Sequence, residues 1–268
     1  MPQIHRLNLW ENFYENLSNL WHKKLCCVAI NLNNIPLKLF LTIIVSLLLS
    51  ACDKASETVA TQNTTVNDSV IAIPFPPKFI SVNYIELDKI ERISKFRSGI
   101  GHDYSDDSES CRSMKHYFQP KNTVDWSLVK IFSPIDGKVV RIFEEWAGTQ
   151  VQIQSKTVSS CTIIIFHIAL LKPLNVGDSV SAGQNLGAHI GSQTMSDVAV
   201  GFSIQNKWRL FSYFDVISDS LFQQYSIRGI SSRNECIISK GARDADPLNC
   251  SSETFGTTGT LENWVILK

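Results

Sequence analysis

The chain reads S-P-I-D-G-K-V-V-R-I at residues 133–142, T-I-I-I-F-H-I-A-L-L at 162–171 and V-G-D-S-V-S-A-G-Q-N-L-G at 176–187. Apolar residues here alternate, or run in groups of four to six bounded by Gly, Asp, Asn and Ser, the pattern of short strands joined by tight turns. The core is therefore expected to be β. Asp136-Gly137 and Val176-Gly177-Asp178 are expected to supply the positive-φ positions that such turns need.

Outward from this block, composition narrows the options. The chain has 268 residues, 44% of them hydrophobic, enough for a substantial core, and it carries 25 basic and 25 acidic residues for a formal net charge of zero. No dense Lys/Arg block interrupts it, so nucleic acid is not an expected partner, because phosphate binding needs concentrated positive charge.

On the amino side, L-F-L-T-I-I-V-S-L-L-L-S-A at residues 39–51 is an uncharged apolar run preceded by Lys23, Lys24 and Lys38. It falls short of the ~20 residues a spanning helix needs and fits the h-region of a secretory signal with a long n-region, residues 1–51. Leu49-Ser50-Ala51-Cys52 resembles the bacterial lipobox, which implies a lipidated Cys52. A polar stretch without periodicity follows and is read as a tether, residues 52–73. The expected location is the bacterial envelope, facing the periplasm or the cell exterior, on a membrane anchor.

The head is divided into a β domain with a lead-in, residues 74–214, and a carboxyl extension, residues 215–268. Positions 87, 90, 93 and 96 have helical spacing, and a short helix or irregular lead-in strand is expected there. Gly99 and Gly101 free the backbone just before His102, which with Asp106 forms an H-x-x-x-D pair of natural zinc-ligand types. Residues 111–120, with Arg112, Lys115 and His116, are read as half-buried with polar ends reaching solvent. Beyond the sheet, a strand is expected to end near Phe214 and a helix to occupy Asp215 to Tyr225.

From about Phe96 to Phe214 the motif order resembles the lysostaphin-type, or LytM-like, zinc endopeptidase family, which cuts peptidoglycan cross-bridges. S-P-I-D-G-K-V-V is similar to its Ala-x-Asp-Gly-x-Val strand, G-T-Q-V-Q-I-Q to its Gly-x-x-Val-x-Ile strand, and I-I-I-F-H-I-A-L-L to its strand ending Tyr-x-His-Leu. V-G-D-S-V-S-A-G-Q-N-L-G is similar to its Val-Gly-Asp turn, and I-G-S-Q-T at 190–194 to its Gly-x-Ser/Thr-Gly loop. The resemblance implies a mainly β fold of twisted antiparallel sheets, barrel-sandwich in type, with short flanking helices. It also implies His102 and Asp106 as metal ligands and His167 as the catalytic or oxyanion-stabilising histidine.

The family's third ligand comes from a His-x-His strand, but here that strand reads S-D-V-A-V-G-F-S-I, without histidine. Asp197 and Ala199, or Val198 and Val200, stand in its place, depending on register. Asp197 is the candidate substitute ligand, and His189 a second candidate from the neighbouring loop. With the ligand set short, zinc is expected to be held weakly or not at all. The leading reading is a noncatalytic module that binds peptidoglycan or a wall hydrolase. The alternatives are an active zinc metallopeptidase using Asp197 and a structural adaptor of an envelope assembly.

Four cysteines beyond the anchor, Cys111, Cys161, Cys236 and Cys250, suggest disulfides in an exported domain. The turn-rich segment between Cys236 and Cys250 favours that pair, leaving Cys111 with Cys161.

Overall fold

The computed structural model describes residues 76–268. Cys52, the apolar run at 39–51 and the tether lie outside the described residues. Among the described residues no helix is long and apolar enough to cross a membrane.

In chain order the strands are β1 (Ile90–Ser94), β2 (His116–Pro120), β3 (Lys130–Phe132), β4 (Gly137–Glu144), β5 (Thr149–Ser155), β6 (Cys161–Leu170), β7 (Ser179–Val180), β8 (Asn185–His189), β9 (Ser196–Ile204) and β10 (Lys207–Phe211). Helices α1 (Tyr213–Val216), α2 (Asp219–Ile227) and α3 (Lys240–Ala245) follow, then β11 (Cys250–Ser251), β12 (Thr254–Phe255) and β13 (Trp264–Ile266). The fold is mainly β, and every pairing between named strands is antiparallel.

Strands β6 and β9 form the centre. The amino-terminal half of β6 pairs with β9, Ile163 opposite Val200 and Ile165 opposite Val198, whereas its last residues pair with β8, Ile168 opposite His189. Strand β9 likewise divides one edge between β2 and β10. The apolar run Ile163–Ile164–Ile165–Phe166 follows from burial on both faces, which removes the usual alternation. Ile163, Ile165, Val198, Val200 and Phe202 enter the main core, while Ile164, Phe166 and Ala199 enter a smaller cluster with Phe96, Met114 and Leu210.

The lead-in is a short 3-10 helix at Leu87–Lys89 followed by a strand, β1, whose Ile90 and Ile93 are fully buried, in keeping with the expected short helix or strand. Other local details correct expectations. Gly177 has φ +102°, as the turn requires, but Gly137 does not have positive φ. Glycine is needed at 137 because an added Cβ would lie 2.5 Å from the Gln154 carbonyl oxygen across the β4–β5 ladder. The expected helix after Phe214 is instead two helices. Ser212 and Ser218 cap them separately, accepting from Phe214 N and Leu221 N, and Ile217 between them is extended and pairs with Ile80. Side-chain caps of this kind satisfy the free N–H groups that start each helix.

The carboxyl segment returns to the sheet, with β13 pairing β1. A disulfide joins Cys111 to Cys250, while Cys161 and Cys236 are buried free thiols. The expected pairs, Cys236 with Cys250 and Cys111 with Cys161, are therefore wrong. Cys161 begins β6 and Cys236 ends a short 3-10 turn, and both side chains pack in the main apolar core. Sequence proximity of Cys236 and Cys250 carried no information about the fold bringing β11 beside residue 111.

Candidate functional site: an ammonium between a histidine and an aspartate

The site is built on one face of β2, β6 and β9. Tyr117 pairs with Asp197 across β2 and β9, and Ile164 pairs with Ala199 across β6 and β9. This fixes the register left open by the sequence: Asp197 and Ala199 face the site, and Val198 and Val200 face the main core.

Strand β6 contributes a distortion. His167 has φ +57°, and the β5–β6 register shifts between Thr149–Ile168 and Val151–Ile165. A non-glycine residue in the left-handed region within a strand marks a bulge, which turns a side chain from its regular direction. In a regular strand Phe166 and His167 would point to opposite faces. Here both approach the same cluster: Lys115 Nζ lies 4.1 Å from the Phe166 ring centroid, and His167 Nε2 lies 3.7 Å from Asp197 Oδ1.

His102 arrives on the loop before β2. Its backbone bridges Thr254 of β12, and Asp103 N donates to the Glu253 carbonyl at 2.7 Å. The Cys111–Cys250 bond ties the same loop to the β11–β12 hairpin. The carboxyl extension thus packs against the His102 side of the site. Gly101, at φ +78°, is required there because a Cβ would strike the Tyr117 hydroxyl at 2.0 Å.

At the centre is Lys115. Its ammonium meets Asp197 Oδ2 at 2.6 Å, with both side chains fully buried, and donates to His102 Nε2 at 3.1 Å. The rings of Tyr104 and Tyr117 lie 4.9 and 5.0 Å from it, completing with Phe166 an aromatic enclosure. Such faces attract cations through their quadrupoles. Burial alone would lower the Lys115 pKa, but the Asp197 charge and Tyr117 outweigh it and raise it, so the side chain is an ammonium. The Asp197 contact is an ion pair in which neither carboxylate oxygen has a hydrogen bond of regular geometry.

The histidines differ. Burial and the Lys115 charge hold the His102 pKa below its usual value. Neutral His102 then donates from Nδ1 to the Asp103 carbonyl at 2.9 Å and accepts from Lys115 at Nε2. His167 donates from Nδ1 to the Ala147 carbonyl at 2.8 Å, with Glu145 Oε2 at 3.1 Å. Burial lowers its pKa, but the Glu145 hydrogen bond and the Asp197 charge reverse the balance and raise it. Trp146 is 76% exposed, its ring 5.8 Å from that of His167.

Of the expected site residues, the fold brings His102 and Asp197 to Lys115, and His167 to the other oxygen of Asp197. Asp106 is elsewhere engaged: Oδ1 accepts from Ser108 N at 2.7 Å and Ser108 Oγ at 2.6 Å, and Oδ2 accepts from Leu210 N at 2.8 Å. Its place is a turn that secures the loop to β10. His189 is buried with Nδ1 accepting from Gly191 N at 3.1 Å and its ring against Trp126, and burial first, then the His167 charge, lower its pKa to about 4. His116 is a core residue, donating to the Ser94 carbonyl and bonded to Ser212 Oγ, both at 2.8 Å.

A catalytic zinc ion takes three protein ligands at ~2.0–2.2 Å and keeps a position for water. Among the described residues no group of three or more His, Cys, Asp or Glu side chains is arranged to hold a metal ion. The Lys115 ammonium already occupies the space between His102 Nε2 and Asp197 Oδ2. These residues do not fit zinc. Sequence reasoning missed Lys115 as the centre. Its position immediately before the His116–Pro120 strand resembled a snorkelling residue, but its side chain is 0% exposed.

No protein-family profile matches the chain, and no curated protein does. Among solved structures it is similar to a candidate glycyl-glycine endopeptidase LytM from Ruminococcus gnavus, at 15% identity and TM-score 0.30, over 37% of this chain and 42% of that one. It is also similar to a chain of the SpoIIQ–SpoIIIAH pore-forming complex, at 10% identity and TM-score 0.37, over 58% of this chain and 99% of that one. Similarity to lysostaphin is 13% in identity with TM-score 0.28, over 44% of this chain and 52% of that one. The match spans less than half of the LytM chain and about half of lysostaphin.

Proposed function

We propose that this protein is a noncatalytic cell-envelope module, held at a membrane through lipid on Cys52, whose groove around His102 and His167 binds peptidoglycan or a wall hydrolase. The observation that carries the reading is the Lys115 ammonium lodged between His102 and Asp197. Hydrolysis of a peptide bond by a metallopeptidase needs an ion in fixed geometry that acidifies a water and polarises the carbonyl. A lysine ammonium supplies neither a coordinated water nor an open coordination position. The motif resemblance over residues 133–201 supports the envelope setting. Exposed Trp146 beside His167 supports binding, since exposed aromatic residues next to a polar groove commonly anchor a ligand.

The test uses the full chain, solubilised in detergent, with purified cell walls. Wall suspensions are expected to keep their turbidity while the protein co-sediments with them. Trp146→Ala is expected to weaken that association about tenfold, or ~1.4 kcal/mol. Lysis of the walls would overturn the noncatalytic reading, and failure to sediment would remove peptidoglycan and leave a wall hydrolase as the partner.

A further inference from the structure

We infer that Lys115 is the resident cation of this centre and that its ammonium excludes divalent metal from the space between His102 and Asp197. The inference rests on the noncatalytic reading of the groove and names the residue that enforces it.

Three independent features define the ammonium as built in. It is enclosed by aromatic rings on three sides, with centroids at 4.1, 4.9 and 5.0 Å from Nζ. It meets a fully buried carboxylate, and among the described residues the other ion-pair contact of Asp197 is with the His167 imidazole at 3.7 Å. It also fixes a histidine tautomer, because His102 gives its Nδ1 proton to Asp103 and turns Nε2 toward Lys115. An unpaired carboxylate at this depth would be costly, so a cation is required here. The chain provides it covalently.

The same geometry states what a metal would meet. An ion binding both His102 Nε2 and Asp197 Oδ2 would have to compete with Lys115 Nζ, which already lies 3.1 Å from the first and 2.6 Å from the second. Binding would require Lys115 to lose its proton or to leave the aromatic enclosure, and both work against the contacts above. Asp106 cannot compensate, since both its oxygens already accept hydrogen bonds in the turn to Leu210.

The probe is Co(II), whose visible absorption reports coordination by histidine and carboxylate, titrated into the full chain in detergent. Wild type is expected to show no absorption band that depends on His102, and one equivalent of zinc is expected to leave its melting temperature unchanged. Lys115→Ala, which empties the position between His102 and Asp197, is expected to develop a band that a further His102→Ala or Asp197→Ala change abolishes. A band in wild type that His102→Ala removes would overturn the inference, as would folded Lys115→Ala protein without a band. If Lys115→Ala does not fold, the wild-type titration alone decides. Wall turbidity, read separately, tests the noncatalytic reading, so an active protein and a metal-binding protein give different results.

Discussion

Lys115 Nζ and Asp197 Oδ2 lie 2.6 Å apart with neither side chain exposed. They sit on neighbouring strands, Lys115 immediately before β2 and Asp197 within β9, and their pairing places a full charge of each sign inside the sheet. Such a pair is supported only while both members are present, because each compensates the burial of the other.

Removing one partner should therefore be worse than removing both. Lys115→Met and Asp197→Ala are each expected to cost about 3–5 kcal/mol, the range for breaking a buried ion pair. The double variant should lose less than either single variant, so that its loss falls short of the sum of the two by at least ~3 kcal/mol, as coupled neighbours do. Urea unfolding of all four proteins measures the cycle, and strictly additive losses would contradict the pairing.

The disulfide predicts a specific peptide map. Non-reducing digestion should yield Cys111 linked to Cys250, with Cys161 and Cys236 alkylated only after unfolding. The bond closes a loop with a sequence separation of 139. In the chain-entropy model a loop of that length contributes up to ~5 kcal/mol, so Cys250→Ser should lower stability visibly and loosen the hairpin beside His102. A Cys236–Cys250 peptide would contradict the fold at this edge.

Acid should destabilise the protein before its carboxylates titrate. Burial, partly offset by the Ser94 carbonyl, pushes the His116 pKa down to about 4. The unfolded chain takes up this proton near the ordinary histidine value while the folded chain does not. Stability contributed by neutral His116 is thus present above about pH 6.5 and declines as pH falls toward about 4, with a slope approaching ~1.4 kcal/mol per pH unit for this one group. Unfolding free energies between pH 7 and pH 4.5 should fall more steeply in wild type than in His116→Gln. Parallel curves would mean that His116 is not buried neutral.

Cys52→Ala should abolish lipid attachment. On the proposed lipoprotein reading, loss of the thiol removes the sulfur that would receive the lipid and is expected to leave an uncleaved precursor without incorporated fatty acid. Labelling with a palmitate analogue measures this, and undiminished labelling of the variant would place the lipid elsewhere.

Much of the fold was legible because burial on one or both faces leaves its trace in residue order. The runs around Val139, Ile163–Ile165 and Val176–Gly187 read correctly as strands and turns of an antiparallel β protein. The motif resemblance pointed to His102, Asp106 and His167 with Asp197 as a substitute ligand, and the fold groups His102, His167 and Asp197 while leaving Asp106 in a turn. Lys115 was not legible, since nothing in a lysine immediately before a strand says whether its ammonium reaches solvent or a buried aspartate 82 residues later in the chain. The direction of His167 depends on a bulge, and the bulge on a register shift between β5 and β6 that local sequence does not encode. Asp106 had the right type and spacing for a ligand, but the same carboxylate geometry serves a turn, and Ser108 two residues later decided for the turn. The cysteine pairing failed for a related reason: Cys111 and Cys250 meet only because the carboxyl hairpin folds back against the His102 loop.

The most direct measurement is a proton–nitrogen correlation spectrum of the lysine side chains in the full chain, labelled at lysine nitrogen. The account predicts one ammonium resonance protected from solvent exchange, absent from Lys115→Met and unchanged when one equivalent of zinc is added. Absence of any protected ammonium, or its disappearance on zinc addition together with shifts of the His102 and His167 rings, would contradict it.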